Sequence, residues 1–418
     1  MFNKLDEAIK WIESIKRFGD KYDLSRMELA CNIIGNPENS LNVIHIAGTN
    51  GKGSTVSYLK NILLAEGYNV GTFTSPYIIS FNERITYNYN NISTDELLYY
   101  INKVYSLHYE VLEKYNDAIS FFELLTLISL LYFKDKQCDY VIYEVGLGGK
   151  LDATNVVKPI ITSITNINFD HMHILGNTLD KIALCKLGIV KKGIPLVTSE
   201  INPELLELFK DYTKNKKAPL IIVEKENITN CHFGKISTFN YKNQEYSIKM
   251  MGTHQVVNAS LAIEIIKELN KIKKTNVSLS NILIGLLKTT WPGRLETFGR
   301  IILDGAHNIG GITVLKDSML TLYKDKYIKV LFTSMEDKEY FDVIKVLESF
   351  VDEIHFTDFN YPRCEKAQNL YDVSSHPLKY LENNVDDALS SLKDLKENEI
   401  LLVTGSLYFV SLVRKKIK

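Results

Sequence analysis

The chain has 418 residues, 45% of them apolar and 24% charged, with 49 Lys and Arg against 50 Asp and Glu. That length exceeds one ordinary core and sets an expectation of two domains, and the balanced charge lacks the basic footprint of a nucleic-acid binder. The five cysteines (31, 138, 185, 231 and 364) are scattered, odd in number and without C-x-x-C spacing, which argues for a reducing compartment and against a structural zinc site.

The N-terminal stretch MFNKLDEAIKWIESIKRF has amphipathic helical spacing with charges throughout, unlike a signal peptide. No run of about 18 apolar residues exists to span a membrane, so a cytoplasmic protein without a membrane partner is expected. The strongest local signal follows at LNVIHIAGTNGKGST, residues 41–55. Its first half reads as a short buried strand, and helical spacing resumes from Val56. Between them, Gly48, Thr49, Asn50, Gly51, Lys52, Gly53, Ser54 and Thr55 form a glycine-rich turn. There, backbone N–H groups can converge on a phosphate without a side chain in the way. Lys52 supplies a charge, and a cation can sit beside the Ser54 or Thr55 hydroxyl. The strict Walker pattern does not fit, because Ile46 stands where its first Gly belongs and Gly53 where its Ser or Thr belongs.

Residues 68–75 read as a second strand, closed by Pro76, which puts Ser75 at a carboxyl end where open α/β sheets bind ligands. A helix over 93–115 opens at Ser93 or Thr94, and a buried helix from Ile119 to Phe133 carries Phe121, Phe122 and Glu123. The strand Asp139–Val145 places Glu144 among apolar neighbours just before Gly146-Leu-Gly-Gly149. A carboxylate there is expected to be paired or to hold a metal. Residues 160–166 repeat the pattern and lead to Asp170-His-Met-His173, where His171 shares the strand-end address; a lone structural histidine is the alternative for His173. A helix from Leu179 to Val190 carries Cys185 and Lys186, hairpins are expected between His232 and Met250, and small residues surround Asn258.

The composition breaks at Trp291-Pro-Gly-Arg294. A strand then leads through Asp304 to Gly305-Ala-His307-Asn308, and strand and helix alternate to Gly405-Ser-Leu-Tyr408. The division is therefore 1–290 and 291–418, a larger α/β domain with a P-loop-type, mostly parallel sheet and a smaller Rossmann-like α/β domain.

HIAGTNGKGST, TSPYIISFNERI, EVGLGGKLDATNVV, NFDHMHILGNT, KLGIVK, WPGRLE, LDGAHN and TGSLY, in this order and over almost the whole chain, resemble the folylpolyglutamate synthase and dihydrofolate synthase family of Mur ligases. The resemblance implies Mur ligase architecture and a ligation in which ATP phosphorylates a folate carboxylate and L-glutamate attacks the acyl phosphate. In bifunctional members dihydropteroate is also an acceptor. It implies that residues 48–55 bind ATP, with Asn258, Arg294 and Asp304 as further contacts and His307 nearby. Ser75, Glu144 and His171 would hold Mg²⁺. Lys186 matches a lysine carried as a carbamate, an anionic ligand for a second Mg²⁺. Phe121, Phe122, Glu123, Leu151, Asp152 and Ala153 match pterin-binding positions. Lys52, Lys186 and His307 are the catalytic candidates, and a monomer suffices.

The chain departs from the family pattern at Cys185 and Leu187, which flank Lys186, at Tyr77 for a usual His, and at Lys150 for a usual Arg. The segment from Tyr22 to Met27 follows the family's pattern only loosely. Two other readings compete. A different Mur-type amide ligase would need another acceptor domain ahead of the phosphate turn. A nucleotide-binding switch or ATPase would have no use for GRLE and LDGAHN.

Overall fold

The computed structural model describes residues 1–16, 23–392 and 394–417. The chain forms two compact units. The first comprises Met1–Ile167, Leu179–Lys225 and Asn258–Leu286; the second comprises Asn168–Thr178, Glu226–Val257 and Leu287–Lys418. The chain thus changes unit more often than a single cut at 290/291 provides for, because 168–178 and 226–257 make their contacts with the second unit.

The first unit is built on eight strands: β1 (Val43–Ala47), β2 (Val70–Phe73), β3 (Ile85–Tyr87), β4 (Asn90–Asn91), β5 (Tyr140–Glu144), β6 (Pro159–Ile164), β7 (Leu196–Thr198) and β8 (Leu220–Ile222). Their order is β4-β3-β2-β5-β1-β6-β7-β8. The six strands from β2 to β8 run parallel, and β3 and β4 add an antiparallel edge. β1, β2 and β5 are buried at every position, which is why they read as continuous apolar runs rather than alternating ones.

The helix Thr94–Tyr115 starts at Ser93, whose side chain forms a capping box with Glu96. The next helix, Phe121–Asp135, starts with the same device from Ser120 and Glu123 and packs Leu124, Leu127, Ile128 and Phe133 into the core with Tyr143. Of the expected N-terminal helix, Leu5–Ser14 is helical; Arg17, Phe18 and Tyr22 lie outside the described residues.

In the second unit the expected hairpins form one antiparallel meander, β9 (Ile228–His232), β10 (Ser237–Tyr241) and β11 (Gln244–Ile248). A second sheet contains β12 (Glu296–Phe298), β13 (Ile301–Leu303), β14 (Tyr327–Phe332), β15 (Glu353–Phe356), β16 (Lys379–Leu381) and β17 (Glu399–Thr404), ordered β12-β13-β17-β14-β15-β16. Only β12 pairs antiparallel there. The edge strand β16 has no counterpart in the sequence reading, since three half-exposed residues are too few to show a period. No helix among the described residues is long and apolar enough to cross a membrane.

Candidate active site

β1 lies between β5 and β6 and delivers the chain to Gly48 at the centre of the first sheet. Gly48 has φ +142°, and a Cβ there would fall 1.8 Å from Thr165 Oγ1; Gly51 has φ +85°, and its Cβ would fall 2.4 Å from Asn258 Oδ1. Neither position admits another residue without moving the side chain that packs on it. The turn is pinned from β6: Thr49 N donates to Asn166 O at 2.9 Å, Asn50 N to Asn166 Oδ1 at 3.0 Å, and Thr165 Oγ1 to Asn50 O at 2.6 Å. The helix Lys52–Ala65 begins at once, with no side-chain cap from Gly51. Its first-turn N–H groups are thereby directed at the turn, the arrangement that receives anions. Of the two hydroxyls considered for a cation, Thr55 Oγ1 folds back onto Gly51 O at 3.0 Å.

Two ammonium groups meet here. Lys52 Nζ donates to Gly48 O at 3.0 Å and Thr49 O at 3.1 Å, and Lys186 Nζ donates to the same Gly48 O at 2.9 Å. Lys186 is only 5% exposed. Two positive charges on one main-chain oxygen raise the local potential, and a polyphosphate would lower it.

β2, β5 and β1 are neighbours and parallel, so their carboxyl ends adjoin. Ser75 follows β2 and donates its N–H to Glu144 Oε2 at 3.1 Å; Glu144, the last residue of β5, is 5% exposed. A buried carboxylate is the hard oxygen donor that suits Mg²⁺, and a serine hydroxyl is a second donor of that kind. His171 belongs to the second unit, with backbone φ of 50°. Among the described residues no three His, Cys, Asp or Glu side chains are grouped as a metal site.

The folate candidates divide by environment. Phe122 lies over Gly146, where a Cβ would come within 2.5 Å of its ring, and against Phe73 at 5.5 Å. Phe121 faces the Arg84 guanidinium, which also lies over Tyr77 and Phe81 at 5.1 and 5.5 Å. Glu123 is buried, and its carboxylate accepts from Arg26 Nη2 at 3.1 Å and Ser120 N at 2.7 Å; Arg26 also pairs with Asp117. That places Glu123 in a structural ion-pair cluster. Asp152 is buried and accepts from Leu147 N at 2.8 Å, Thr154 N at 3.0 Å and Thr154 Oγ1 at 2.5 Å. Burial pushes its carboxyl up, against the pull of those bonds. Leu151 and Ala153 flank it in the same loop.

In the second unit Asp304 is buried and fastens the turn on either side of it, accepting from Leu295 N and Ala306 N at 2.9 Å each. Burial raises its carboxyl, and the Arg294 charge opposes the rise. His307 Nδ1 donates to Gly305 O at 2.9 Å, and its Nε2 lies 3.8 Å from Asp170 Oδ2. Asp170 is a hub: Lys338 Nζ donates to Oδ1 at 2.6 Å and Asn308 Nδ2 to Oδ2 at 3.1 Å. Burial works against its charge, yet the nearby His307 and the charges of Lys338, His307 and His171 hold its carboxyl well below the usual range. These residues line a cleft of about 230 Å³ together with His173.

Residues 46–266 match the Mur ligase middle domain, and residues 293–407 match the Mur ligase glutamate ligase domain. The chain is 40% identical to the dihydrofolate synthase/folylpolyglutamate synthase of Bacillus subtilis over the full length of both. It is 30% identical to the folylpolyglutamate synthase of Lacticaseibacillus casei, over 98% of this chain and 97% of that one. The chain belongs to this family of Mur ligases. Its fold agrees with that of E. coli FolC in complex with DHPP and ADP, at a TM-score of 0.89 and 27% identity, covering 99% of this chain and 98% of that one.

Sequence reasoning singled out the family's glycine-rich turn but passed over the residues that hold it, Thr165 and Asn166. They stand at the same strand-end address as Ser75, and that address was the available signal. Lys338 had no signal at all: a lysine in Met335-Glu-Asp-Lys-Glu reads as solvated surface until Asp170 is seen beside it.

Proposed function

We propose that the chain is an ATP-dependent ligase that adds L-glutamate to the glutamate side-chain carboxylate of folates, and to 7,8-dihydropteroate as well. The folate carboxylate oxygen attacks the γ-phosphorus of ATP and ADP departs. The glutamate amine then attacks the acyl carbon, phosphate departs and an amide remains. Activation is needed because a free carboxylate is a poor electrophile. What this chain contributes is position and charge.

The observation that carries the reading is the phosphate turn, with Lys52 and Lys186 both on Gly48 O at the end of the strands that present Ser75 and Glu144. In this reading the turn, residues 48–55, and Asn258 bind ATP, and Lys52 follows the charge that develops on the transferred phosphoryl. Ser75, Glu144 and His171 would hold Mg²⁺, which when bound neutralises phosphate charge. Lys186 would lose a proton to solvent, add CO₂ at Nζ and release a second proton, and the resulting carbamate would be an anion suited to a second Mg²⁺. Phe121, Phe122, Leu151, Asp152 and Ala153 form the folate side, and Glu123 supports it through Arg26. Arg294, Asp304 and His307 serve the nucleotide and the incoming amine, with functional domains dividing near residue 290. The protein works as a monomer in the cytoplasm on small molecules alone.

Purified protein given ATP, Mg²⁺, labelled glutamate and either tetrahydrofolate or dihydropteroate yields the glutamylated product and ADP. Product with neither acceptor, or ATP hydrolysis indifferent to both, overturns the reading.

A further inference from the structure

His45 is a buried histidine in the middle of β1, three residues before Gly48, opposite Tyr143 of β5 and Thr162 of β6. Its Nε2 lies 2.8 Å from Thr154 Oγ1. Thr154 is itself fully buried and gives its single hydroxyl proton to Asp152 Oδ1. The hydroxyl therefore accepts from His45, so the proton of the neutral imidazole is on Nε2. Its Nδ1 is buried with no hydrogen-bond partner. Burial, aided by the nearby Lys191 charge, pushes the imidazole down to about 3, which keeps it neutral. An orphaned ring nitrogen inside a parallel sheet costs stability, and packing alone gives no reason to keep it there.

The loop at the far end of this chain of bonds gives one. Residues 146–155 touch the proposed site from several sides. Gly146 lies under the Phe122 ring. Lys150 N donates to Cys185 O at 2.8 Å, next to Lys186. Asn155 Nδ2 donates to Lys150 O and Gly188 O, at 2.9 and 3.2 Å. Asp152 ties the loop's two ends, to Leu147 N on one side and Thr154 on the other.

We propose that His45 and Thr154 are positioning residues, a buried chain that holds Asp152 and with it the Gly146–Asp152 loop in the register that receives the folate. The chain runs from the strand that ends in the phosphate turn, so one element sets both the nucleotide side and the folate side. This rests on the reading above that the loop borders the folate.

The test measures KM for tetrahydrofolate, KM for ATP and kcat in four variants. His45→Leu and Thr154→Val break the chain. His45→Gln, whose amide nitrogen can occupy the place of Nε2, and Thr154→Ser keep it. The first two are expected to raise the folate KM about tenfold, with ATP KM and kcat at saturating folate within about twofold of the parent. The second two restore the folate KM. Loss of melting temperature with an unchanged folate KM, or an equal rise in both KM values, overturns the proposal. So does failure of both breaking variants to fold while the keeping variants fold, since the chain is then a folding element. Asp152→Asn separates the layers. If it raises the folate KM and the breaking variants do not, the chain of bonds fails alone; if it leaves the folate KM unchanged, the loop's place beside the folate fails with it.

Discussion

In the first unit the phosphate turn is made almost wholly of main chain: two glycines that admit no side chain, a helix start, and carbonyls that hold Lys52 and Lys186. In the second unit the Asp170 cleft is lined by residues from three separate stretches, 169–173, 307–309 and 337–339, held by one half-buried carboxylate. The two constructions differ in what a substitution removes. A backbone cradle keeps its shape when a side chain is cut away, so the loss falls on chemistry. A cleft tied by charge loses shape and chemistry together.

The largest expected effect is at the turn. Lys52→Ala leaves the glycine geometry in place and should lower kcat about 100- to 1,000-fold, the scale of one lost transition-state donor, with a melting temperature close to the parent's. Lys186→Ala should be similarly inactive but regain turnover with formate or acetate, small anions that can stand in for a carbamate. Lys52→Ala should not respond. Near-parent turnover in Lys52→Ala removes the phosphate role, and a Lys186→Ala enzyme deaf to carboxylic acids removes the carbamate.

Asp170→Asn is the counterpart in the second unit, and there activity and stability should fall together. Taking one partner from a mostly buried ion pair costs on the order of 3 kcal/mol, and the displaced Lys338 and His307 should lower turnover by about 100-fold. Chemical denaturation followed beside steady-state kinetics checks this. If Asp170→Asn loses activity without stability, the cleft is as rigid as the turn and the contrast between the two units fails.

The same contrast explains what was legible in the sequence. Gly48, Gly51 and Lys52 were readable because a main-chain cradle leaves its requirements in consecutive residues. Ser75 and Glu144 were readable because one closely follows and the other ends a short apolar strand, and parallel pairing of β2 and β5 then brings them together. Asp170 and Lys338 are 168 residues apart, and no local pattern announces a bond between them. Thr154 looked like part of a motif and His45 like a polar interruption of a strand; their meeting across 109 residues depends on how the 3-10 helix Ala153–Val156 returns to β1. Glu123 matches a pterin position in the sequence, and its capping bond and Arg26 explain its burial independently.

The smallest effect concerns pH, and it can resolve the two units separately. Each contains histidine that desolvation holds neutral: in the first, buried His45, pushed down to about 3, with buried His108 also pushed down; in the second, half-buried His254, pushed down to about 4 by desolvation and then by the Arg294 charge. All three titrate near 6.5 when unfolded. Between about pH 6.5 and 4 the unfolded chain therefore binds protons that the native chain does not. Stability must fall as pH falls, by at most about 1.4 kcal/mol per pH unit for each histidine. Asp170 acts in a lower window: its folded carboxyl titrates below its unfolded value, so its contribution is present above about pH 4 and is lost on further acidification. Denaturation measured between pH 7 and 4 should thus show an acid contribution from each imidazole, above the window in which Asp170 is protonated. His45→Gln, which keeps the donor to Thr154, should reduce the slope of the first unit's transition to what His108 leaves and not change the second's; His254→Gln should reduce the second's alone. Slopes that stay as steep in both variants would mean that these imidazoles gain protons in the native state as readily as in the unfolded chain, and the burial argument for both would fall.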